Sequence, residues 1–337
     1  MGTIKDIAQK AEVSISTVSL VLNNKGYVGE ETRKKVQQAI QDMNYKPSRS
    51  ARKLATGKTG NIGFIIWEGH FYDVEMFYSQ IFLGMEYAAR KTDSYVILTT
   101  VKEEFDPKKE VPRFLKYNDV DGVALAGRVP HTLVEYLDRQ RIPIVLIDYA
   151  IPGKNYNCIQ IDNYHGAYQA VDHLAKTGKK RIGFVGGTYF HPSIKERYRG
   201  YRDALEANNL IGNGMPEEYT FVENVETSPL IGEKGISVLL DRNTDLDAVF
   251  CCNDPTAMGA MKEIQKRKIK IPDEIAIVGF DDIPTSGFCM PRLTTVSVPK
   301  LALGKEAFNL LNEVIDQPSE PPQVRTIGTF LVKRESA

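Results

Sequence analysis

The chain has 337 residues, of which 42% are hydrophobic, so it is too long for one ordinary domain and apolar enough to fill more than one core. Its formal net charge is zero, but residues 1–60 hold 11 Lys+Arg against 5 Asp+Glu, whereas the remainder holds 32 against 38. A basic N-terminal segment on an acidic body predicts a nucleic-acid-binding protein whose contacts are confined to one end.

The sequence also argues against several classes of protein. It shows no signal peptide and no apolar run of membrane-spanning length, which predicts a cytoplasmic protein without a membrane partner. No G-x-G-x-x-G, G-x-S-x-G or H-E-x-x-H motif occurs and the histidines are scattered, so we expect neither catalysis nor a cofactor. We expect no metal either. The four cysteines lack paired spacing, and the neighbouring Cys251 and Cys252 are interpreted as core thiols; the other two are Cys158 and Cys289.

The N-terminal segment has the pattern of a helix-turn-helix. Thr3 is a good N-cap for a first helix, and after a break at 12–14 a second helix can be capped by Ser14. A third helix opens at Gly29. The inward-facing apolar residues of the three predicted helices are Ile4, Ile7, Ala8, Ala11, Val18, Val21, Leu22, Val36, Ile40 and Met43. Such a pattern also suits other three-helix domains, but a helix-turn-helix would place its second helix in the major groove of DNA.

A basic segment follows these helices. No acidic residue occurs from Met43 to Trp67, although five lysines and arginines do. Within it, a short helix pattern after Pro47 ends at Gly57 and carries one large apolar side chain, Leu54. A helix of about two turns is too short to be stable alone in water. The segment therefore predicts a helix that forms on a partner and inserts Leu54 into the minor groove.

The stretch TIKDIAQKAEVSISTVSLVLNNKGYVGEETRKKVQQAIQDMNYKPSRSARKLAT resembles the DNA-binding domain and hinge helix of the lactose-repressor/galactose-repressor (LacI/GalR) family. The resemblance continues to the C-terminus. It implies a helix-turn-helix domain at 1–46 and a hinge helix and linker at 47–60. It also implies a homodimeric transcriptional regulator, most simply a repressor, whose partners are double-stranded operator DNA and a small-molecule effector.

The resemblance assigns roles to residues of the DNA-binding segment. Ile15, Ser16 and Leu20 are expected to face base edges, and Leu20 favours a thymine methyl because it cannot donate to guanine. On the hinge helix, Ala51 and Leu54 face DNA, and Leu54 from two subunits is expected to kink the duplex. The residues expected to hold phosphates are Thr3, Ser14, Thr17, Ser19, Asn23, Tyr27, Thr32, Tyr45 and Ser48, of which Thr17 also reaches toward a base.

One departure from the family lies in the turn before the second helix. Relatives usually place glycine where this chain has Glu12. A left-handed backbone at a residue other than glycine costs about 1 kcal/mol. We therefore expect strain in the turn but an intact fold.

Beyond residue 60, buried strand patterns alternate with helix patterns, which predicts an α/β core of two doubly wound parallel-sheet subdomains. The predicted strands are 61–67, 95–101, 121–126, 142–147, 181–186, 218–222, 248–252 and 274–280, with helices near 192–207, 229–241 and 255–267. The resemblance implies a core like that of periplasmic binding proteins. Its N-terminal subdomain would comprise 61–160 and 293–322, and its C-terminal subdomain 161–292 and 323–337, with crossings near 160–162, 291–293 and 321–323.

Several polar side chains stand just after predicted strands, where a cleft would lie. They include Asp148, Asn253 and Asp281, while Arg197 lies in a helix pattern. Carboxylates, an amide and a guanidinium bind vicinal hydroxyls in pairs, which predicts a sugar site. The alternative interpretation of Asn253 and its neighbour Asp254 is that they cap a helix opened by Pro255.

By the resemblance, the residues that touch the effector are Asp148, Arg197, Asn253 and Asp281. Further candidates for the cleft are Ser193, His191 and Thr227. The family's Asn-Pro-Phe-Phe corresponds here to Glu75-Met76-Phe77-Tyr78, so the aromatic pair Phe77 and Tyr78 remains to stack on a ring. For two residues the sequence leaves the role open. Trp67 either stacks on the ligand or packs in the core, and Arg128 either contacts the ligand or is exposed on the surface.

The sequence leaves one alternative regulator open, a catabolite-control protein whose corepressor is a phosphorylated carrier protein. In either case we expect the effector to open or close the cleft and thereby to pair or melt the hinge helices.

Overall fold

The structure, a computed structural model, describes residues 3–22, 26–45, 57–69, 76–188, 191–211, 217–225 and 227–337. The chain divides into two compact units. The first is Met1–Gly60 with Asp119–Asp121, and the second is Asn61–Asn118 with Gly122–Ala337. Among the described residues, no helix is long and apolar enough to span a membrane.

The described residues of the first unit form three helices: α1 Ile4–Lys10, α2 Ile15–Leu22 and α3 Glu30–Asp42. Thr3 caps α1 through a capping box with Asp6, which satisfies two orphan N–H groups. The Ser14 hydroxyl accepts a hydrogen bond from the Thr17 N–H at 3.1 Å, as an N-cap of α2 should. Glu12 adopts a φ of 56°, so the turn is left-handed as expected. The core centres on Ile7, Val18, Val36 and Ala39, all fully buried.

The second unit contains two six-stranded sheets. The first sheet has the order β11-β5-β4-β3-β1-β2, with all neighbours parallel. Its strands are β1 Asn61–Trp67, β2 Tyr95–Val101, β3 Gly122–Ala126, β4 Ile144–Ile147, β5 Cys158–Ile161 and β11 Val324–Ile327. The fully buried runs of β3 and β4 are what a sheet covered by helices on both faces requires.

The second sheet has the order β12-β10-β9-β8-β6-β7. Only its edge pair, β10 with β12, is antiparallel. Its strands are β6 Ile182–Gly186, β7 Thr220–Val222, β8 Ala248–Cys251, β9 Ala276–Asp281, β10 Thr294–Ser297 and β12 Phe330–Val332. The two sheets are the cores of two lobes, so the predicted α/β fold class is confirmed.

Eight helices of the described second unit connect or cover these strands. They are α4 Met76–Ala89, α5 Arg113–Lys116, α6 His131–Arg139, α7 Asn163–Lys176, α8 Pro192–Ala207, α9 Pro229–Arg242, α10 Asp254–Lys266 and α11 Lys300–Asp316. Helices α4 and α11 pack closely together on the first lobe. A Cβ added at Gly84 would lie 2.2 Å from the Leu301 carbonyl oxygen, so only glycine permits this approach.

The chain crosses between the lobes at three places, and two of them differ from the prediction. The strand at 294–297 belongs to the second sheet, so the chain returns to the first lobe at 298–299 and not at 291–293. The segment 323–337, which was assigned to the C-terminal subdomain, holds two strands: β11 pairs with β5 in the first sheet and β12 pairs with β10 in the second, so the third crossing lies at 328–329 and not at 321–323. Short edge strands show little of which sheet they join, because half of each is exposed.

The C-terminal residues are part of the second sheet's core. Ser336 is fully buried, and its hydroxyl donates to the Ile277 carbonyl at 2.6 Å and accepts from the Thr294 N–H at 2.9 Å. The Ile277 N–H in turn donates to the Ser336 carbonyl at 2.8 Å. These bonds fix the chain end beside β9 and β10.

Candidate DNA-binding surface and effector cavity

Helix α2 exposes the apolar side chains that the sequence assigned to base contact. Ile15 is 44% exposed and Leu20 is 38% exposed, although both are large hydrophobic residues. The Leu20 methyl groups lie beside Gly26, where an added Cβ would be 3.3 Å away, so the glycine leaves room for this side chain. Exposed apolar side chains on a helix that buries its opposite face suit contact with thymine methyl groups.

Hydroxyl groups gather at the N-terminus of α2. The Ser14 hydroxyl lies 2.7 Å from that of Ser16 and 2.8 Å from that of Thr17. A cluster of hydroxyls and free N–H groups at a helix N-terminus is suited to bind a phosphate oxygen.

The remaining residues with expected phosphate contacts are spread around the domain. Tyr27 is almost fully exposed, while Ser19, Thr32 and Tyr45 are half-buried. The Thr3 hydroxyl donates to Asp6 at 2.9 Å. Asn23, Ser48, Ala51 and Leu54 lie outside the described residues, so the hinge helix stays a prediction.

The second unit brings all seven candidate effector residues to one cavity between the lobes. Phe77, Tyr78 and Asp148 come from the first lobe and Ser193, Arg197, Asn253 and Asp281 from the second. His191, Ile194 and Thr227 complete the described lining, and of these only Ile194 was absent from the predicted set. The cavity has a volume of about 60 Å³, so the lobes are closed on each other with room for only a few water molecules.

Arg197 is the most tightly held side chain of the cavity. Its guanidinium donates to Asn163 Oδ1 at 2.8 Å, to the Cys252 carbonyl and to Asp281 Oδ1 at 3.2 Å. It also lies 3.7 Å from the centre of the Phe280 ring, and its side chain is only 6% exposed. These contacts all come from the second lobe, so the positive charge stays in place whether or not a ligand is bound.

Asp148 makes a direct hydrogen bond across the cleft. It follows β4 in the first lobe, and its Oδ1 accepts from the Ser193 hydroxyl of the second lobe at 3.0 Å. Burial raises the pKa of Asp148 to about 6, against the opposing effect of the Arg197 charge and the hydrogen bonds of Ser193 and Asn163. Its φ of 55° turns the backbone sharply at the strand end, which aspartate tolerates better than most residues.

Asp281 stands at the corresponding end of β9. Its φ is 107°, and burial raises its pKa to about 6 although Arg197 and Lys300 favour the ionised form. Lys300 begins α11, and its Nζ donates to the carbonyl oxygens of Asp281, Asp282 and Val298. A buried lysine thus ties the end of β9 to the second crossing between the lobes.

Asn253 fills the capping role that was the alternative interpretation, whereas Asp254 binds groups outside that helix. Asn253 Oδ1 accepts from the Thr256 N–H at 3.0 Å, and its amide donates to Thr227 Oγ1 at 2.8 Å. Asp254 is fully buried, accepts from the Ile283 N–H and from Ser286, and has its pKa raised to about 7 by burial. Asn253 nevertheless lines the cavity, whereas Asp254 does not.

The aromatic pair of α4 forms part of the wall supplied by the first lobe. Phe77 and Tyr78 are both buried, and their rings meet edge to face with centroids 5.0 Å apart. Trp67 and Arg128, which the sequence left open, line a neighbouring cavity instead. Sequence reasoning missed Asn163 and Lys300, which hold Arg197 and Asp281. Both residues directly follow a crossing between the lobes, which could have pointed to them. For Lys300 this signal was lost because the second crossing was predicted at the wrong place.

Comparisons with known proteins agree with this geometry. Residues 3–48 match the sequence profile of bacterial regulatory proteins of the lacI family, and residues 171–337 match that of a periplasmic binding protein-like domain. The chain is 31% identical over 337 residues to the HTH-type transcriptional regulator GalR of Escherichia coli (strain K12), with 100% of this chain and 96% of the relative covered. It is also 31% identical over 339 residues to the HTH-type transcriptional repressor PurR of Vibrio campbellii (strain ATCC BAA-1116), with 100% and 98% covered.

A solved structure of the transcriptional regulator CelR in complex with cellobiose is similar over its whole length, with a TM-score of 0.75 and 28% identity. It covers 100% of both chains. These relatives are DNA-binding regulators and not enzymes, and they do not favour the catabolite-control alternative. The helix-turn-helix, the two-lobed core and the full-length similarity agree: this chain is a transcriptional regulator of the LacI family.

Proposed function

We propose that this regulator is a cytoplasmic repressor that binds a pseudo-palindromic operator as a homodimer and is switched by a sugar bound between its lobes. One observation carries the effector part of the proposal. Polar and aromatic side chains line one cavity between the lobes, and the Ser193 hydroxyl of the second lobe donates across it to Asp148 of the first lobe at 3.0 Å. A sugar hydroxyl in the cavity would replace Ser193 as the donor to Asp148.

The chemistry of the cavity suits a polyol. Asp148 and Asp281 supply carboxylate acceptors, Arg197 supplies a fixed donor, and Phe77 and Tyr78 supply apolar surface. Vicinal hydroxyls both donate and accept, so they satisfy these groups in pairs, whereas a ligand without hydroxyls would leave buried polar atoms unpaired. CelR, whose structure contains cellobiose, is one relative with a sugar ligand.

The proposed switch follows from the position of these side chains on opposite lobes. A ligand that replaces the Asp148–Ser193 bond changes how far the lobes close, because each partner is fixed to its own lobe. The hinge helices precede the first lobe in the chain. We propose that a change in lobe closure alters their pairing and thereby the insertion of Leu54 into DNA.

Exposed apolar side chains support a dimer. Leu83, Tyr87 and Leu301 on α4 and α11 are each at least 40% exposed, and Phe288 and Met290 in the second lobe are 85% and 86% exposed. Apolar groups on both lobes would let a partner subunit sense their relative movement.

The test of the effector site is the substitution Asp148→Asn, which keeps the shape of the side chain but removes its charge. We expect it to weaken sugar binding by about tenfold or more, because a hydrogen bond to a charged group contributes about 1.5–3 kcal/mol. Binding is measured by calorimetry with a panel of sugars and purines, and the sugar's effect on DNA binding by fluorescence anisotropy with an operator.

The matched control is Asp138→Asn, which changes the same residue type at an exposed position of α6. It should leave sugar binding unchanged. If Asp148→Asn bound the sugar as tightly as the parent protein, or if a purine alone bound, the proposed sugar site would be wrong.

A further inference from the structure

The first unit includes a short segment from much later in the chain. Asp119–Asp121 belongs to it, although β1, α4, β2 and α5 lie between Gly60 and this segment in the sequence. Gly60 is followed directly by β1, and Asp121 is followed directly by β3. The unit that contains α1 to α3 is therefore connected through the main chain to two neighbouring strands of the first lobe.

The Asp121 carboxylate holds the last two residues of this unit before β1. Its Oδ1 accepts from the Thr59 N–H at 2.7 Å and from the Thr59 hydroxyl at 2.9 Å. Its Oδ2 accepts from the Gly60 N–H at 2.8 Å. All three residues are half-buried, and hydrogen bonds to a carboxylate are stronger than those between neutral groups. We call these three hydrogen bonds the linker clamp.

The strands that begin beside the clamp end on the effector side of the first lobe. β1 and β3 are parallel neighbours, with Ile62 opposite Gly122, and β4 runs parallel to β3 and leads into Asp148 of the cavity. Parallel strands all begin at one edge of a sheet and end at the other, so Asp121 and Asp148 stand at opposite edges. Because β3 and β4 are fully buried, the sheet moves as a rigid body and carries Asp121 with it.

We propose that Asp121 is the positioning residue that passes movement of the first lobe to the hinge helices. Thr59 and Gly60 directly follow the predicted hinge segment in the sequence, so the clamp carries a movement of β3 to that segment through a side chain as well as through the main chain. Without the clamp, the linker can rotate about its own main-chain bonds, and the movement is lost there. This inference rests on the proposed effector switch and adds the residue that transmits it.

The substitution Asp121→Asn breaks the clamp with little change in side-chain shape. Asparagine keeps one acceptor oxygen, but its NH2 group would face an N–H donor of Thr59 or Gly60. Thr59→Val is a milder second variant, because it removes only the hydroxyl bond. The matched control is Asp273→Asn, which changes the same residue type at an exposed position outside both the first unit and the cavity.

Operator binding is measured by fluorescence anisotropy with a palindromic duplex that the parent protein selects from a random library. We expect Asp121→Asn to weaken it by about tenfold, because a loosely held linker lowers the effective concentration of the second DNA-binding head. Thr59→Val should act in the same direction to a smaller extent, and Asp273→Asn should match the parent protein.

The response to effector is measured by repeating the titrations with galactose, ribose and cellobiose. An effector typically changes affinity by about 5–150-fold, and in Asp121→Asn we expect this ratio to fall to about twofold or less. Calorimetry with the same sugars, sedimentation velocity and denaturant unfolding should give the parent values. A residue that only stabilised the fold would lower the midpoint of unfolding but leave the sugar response of the folded protein intact.

Operator affinity and sugar response that match the parent's in Asp121→Asn overturn the proposal. If Asp121→Asn does not fold, Thr59→Val decides in its place, and unchanged operator affinity in that variant overturns the proposal. If none of the sugars binds, the sugar effector is wrong, while the operator affinities of the two variants still decide whether the clamp positions the DNA-binding heads.

Discussion

At the scale of single residues, the cavity between the lobes combines ionisable groups that are costly to bury. Asp148 and Asp281 stand at strand ends with a positive φ and have raised pKa values, and Arg197 is held by Asp281 and other groups of the second lobe. A carboxylate of this kind destabilises the ligand-free protein at neutral pH but is ready to bind a hydroxyl donor. The site therefore keeps polar groups for binding at the expense of stability.

Because burial of the Asp148 carboxylate destabilises the ligand-free protein, we expect Asp148→Asn to raise its stability while it weakens sugar binding. The folded-state pKa of about 6 lies above that of an unfolded aspartate, so the folded protein binds the proton more tightly and loses stability as pH rises from about 4 through 6. Asparagine has no such dependence. Above pH 7 we expect a gain of about 2 kcal/mol in the free energy of unfolding, and little difference near pH 4.

The measurement is denaturant unfolding of both proteins at pH 5 and pH 7.5. Other ionisable groups that act on Asp148 are Arg197, Asp281 and the Cys158 thiol, and they are common to both proteins. A variant that was less stable than the parent at pH 7.5 would show that the carboxylate stabilises the closed cleft.

Residue-level prediction from sequence succeeded in finding which side chains meet and failed in finding what holds them. The seven candidates were recognisable because they follow strands or match a family pattern, and the structure brings them to one cavity. Asn163 and Lys300 act on Arg197 and Asp281 through contacts between distant segments. Such contacts leave no local pattern, because they depend on which sheet each strand joins.

At the scale of elements, the long buried strands were predictable, whereas the sheets that the short strands after residue 293 join were not. The boundaries of β1 and β2 agree with their apolar runs, and Pro192 marks the start of α8 as an N-terminal proline should. The runs at 294–297 and 330–332 are too short to carry a period, and their sheet is decided by partners far away in the chain.

The recognition helix α2 allows a prediction about specificity. Leu20→Arg should change the preferred base pair at one position of each half-site from A·T to G·C, because arginine donates two hydrogen bonds to guanine while leucine contacts the thymine methyl. Discrimination should shift by about 1–3 kcal/mol. The change is measured by competition binding with operator variants.

The control for the added charge is Gln37→Arg, which places the same side chain at an exposed position of α3. That variant should tighten binding to all sequences alike. If Leu20→Arg did the same, the side chain at position 20 would contact phosphates and not bases.

At the scale of the whole molecule, the two lobes each expose apolar side chains, and a two-fold dimer would cover them. Met290→Glu should weaken the dimer, because it places a charge within the apolar group of the second lobe. Operator affinity should fall with it, since each half-site is then bound independently. Sedimentation velocity measures the association, and anisotropy measures DNA binding.

Tyr117→Glu is the matched control, because Tyr117 is an apolar residue that is 62% exposed and belongs to neither exposed group. It should remain dimeric. A Met290→Glu protein with unchanged sedimentation would place the interface on α4 and α11 alone.

The third crossing, at 328–329, has a consequence for how the protein is made. Each sheet receives one of its edge strands, β11 or β12, from residues beyond 323, and Ser336 then closes hydrogen bonds with Ile277 and Thr294. Helices α1 to α3 can fold while synthesis continues, but neither lobe can complete its sheet until its edge strand, β11 or β12, has been synthesised. During translation, the DNA-binding helices α1 to α3 can therefore fold before either lobe is able to respond to an effector.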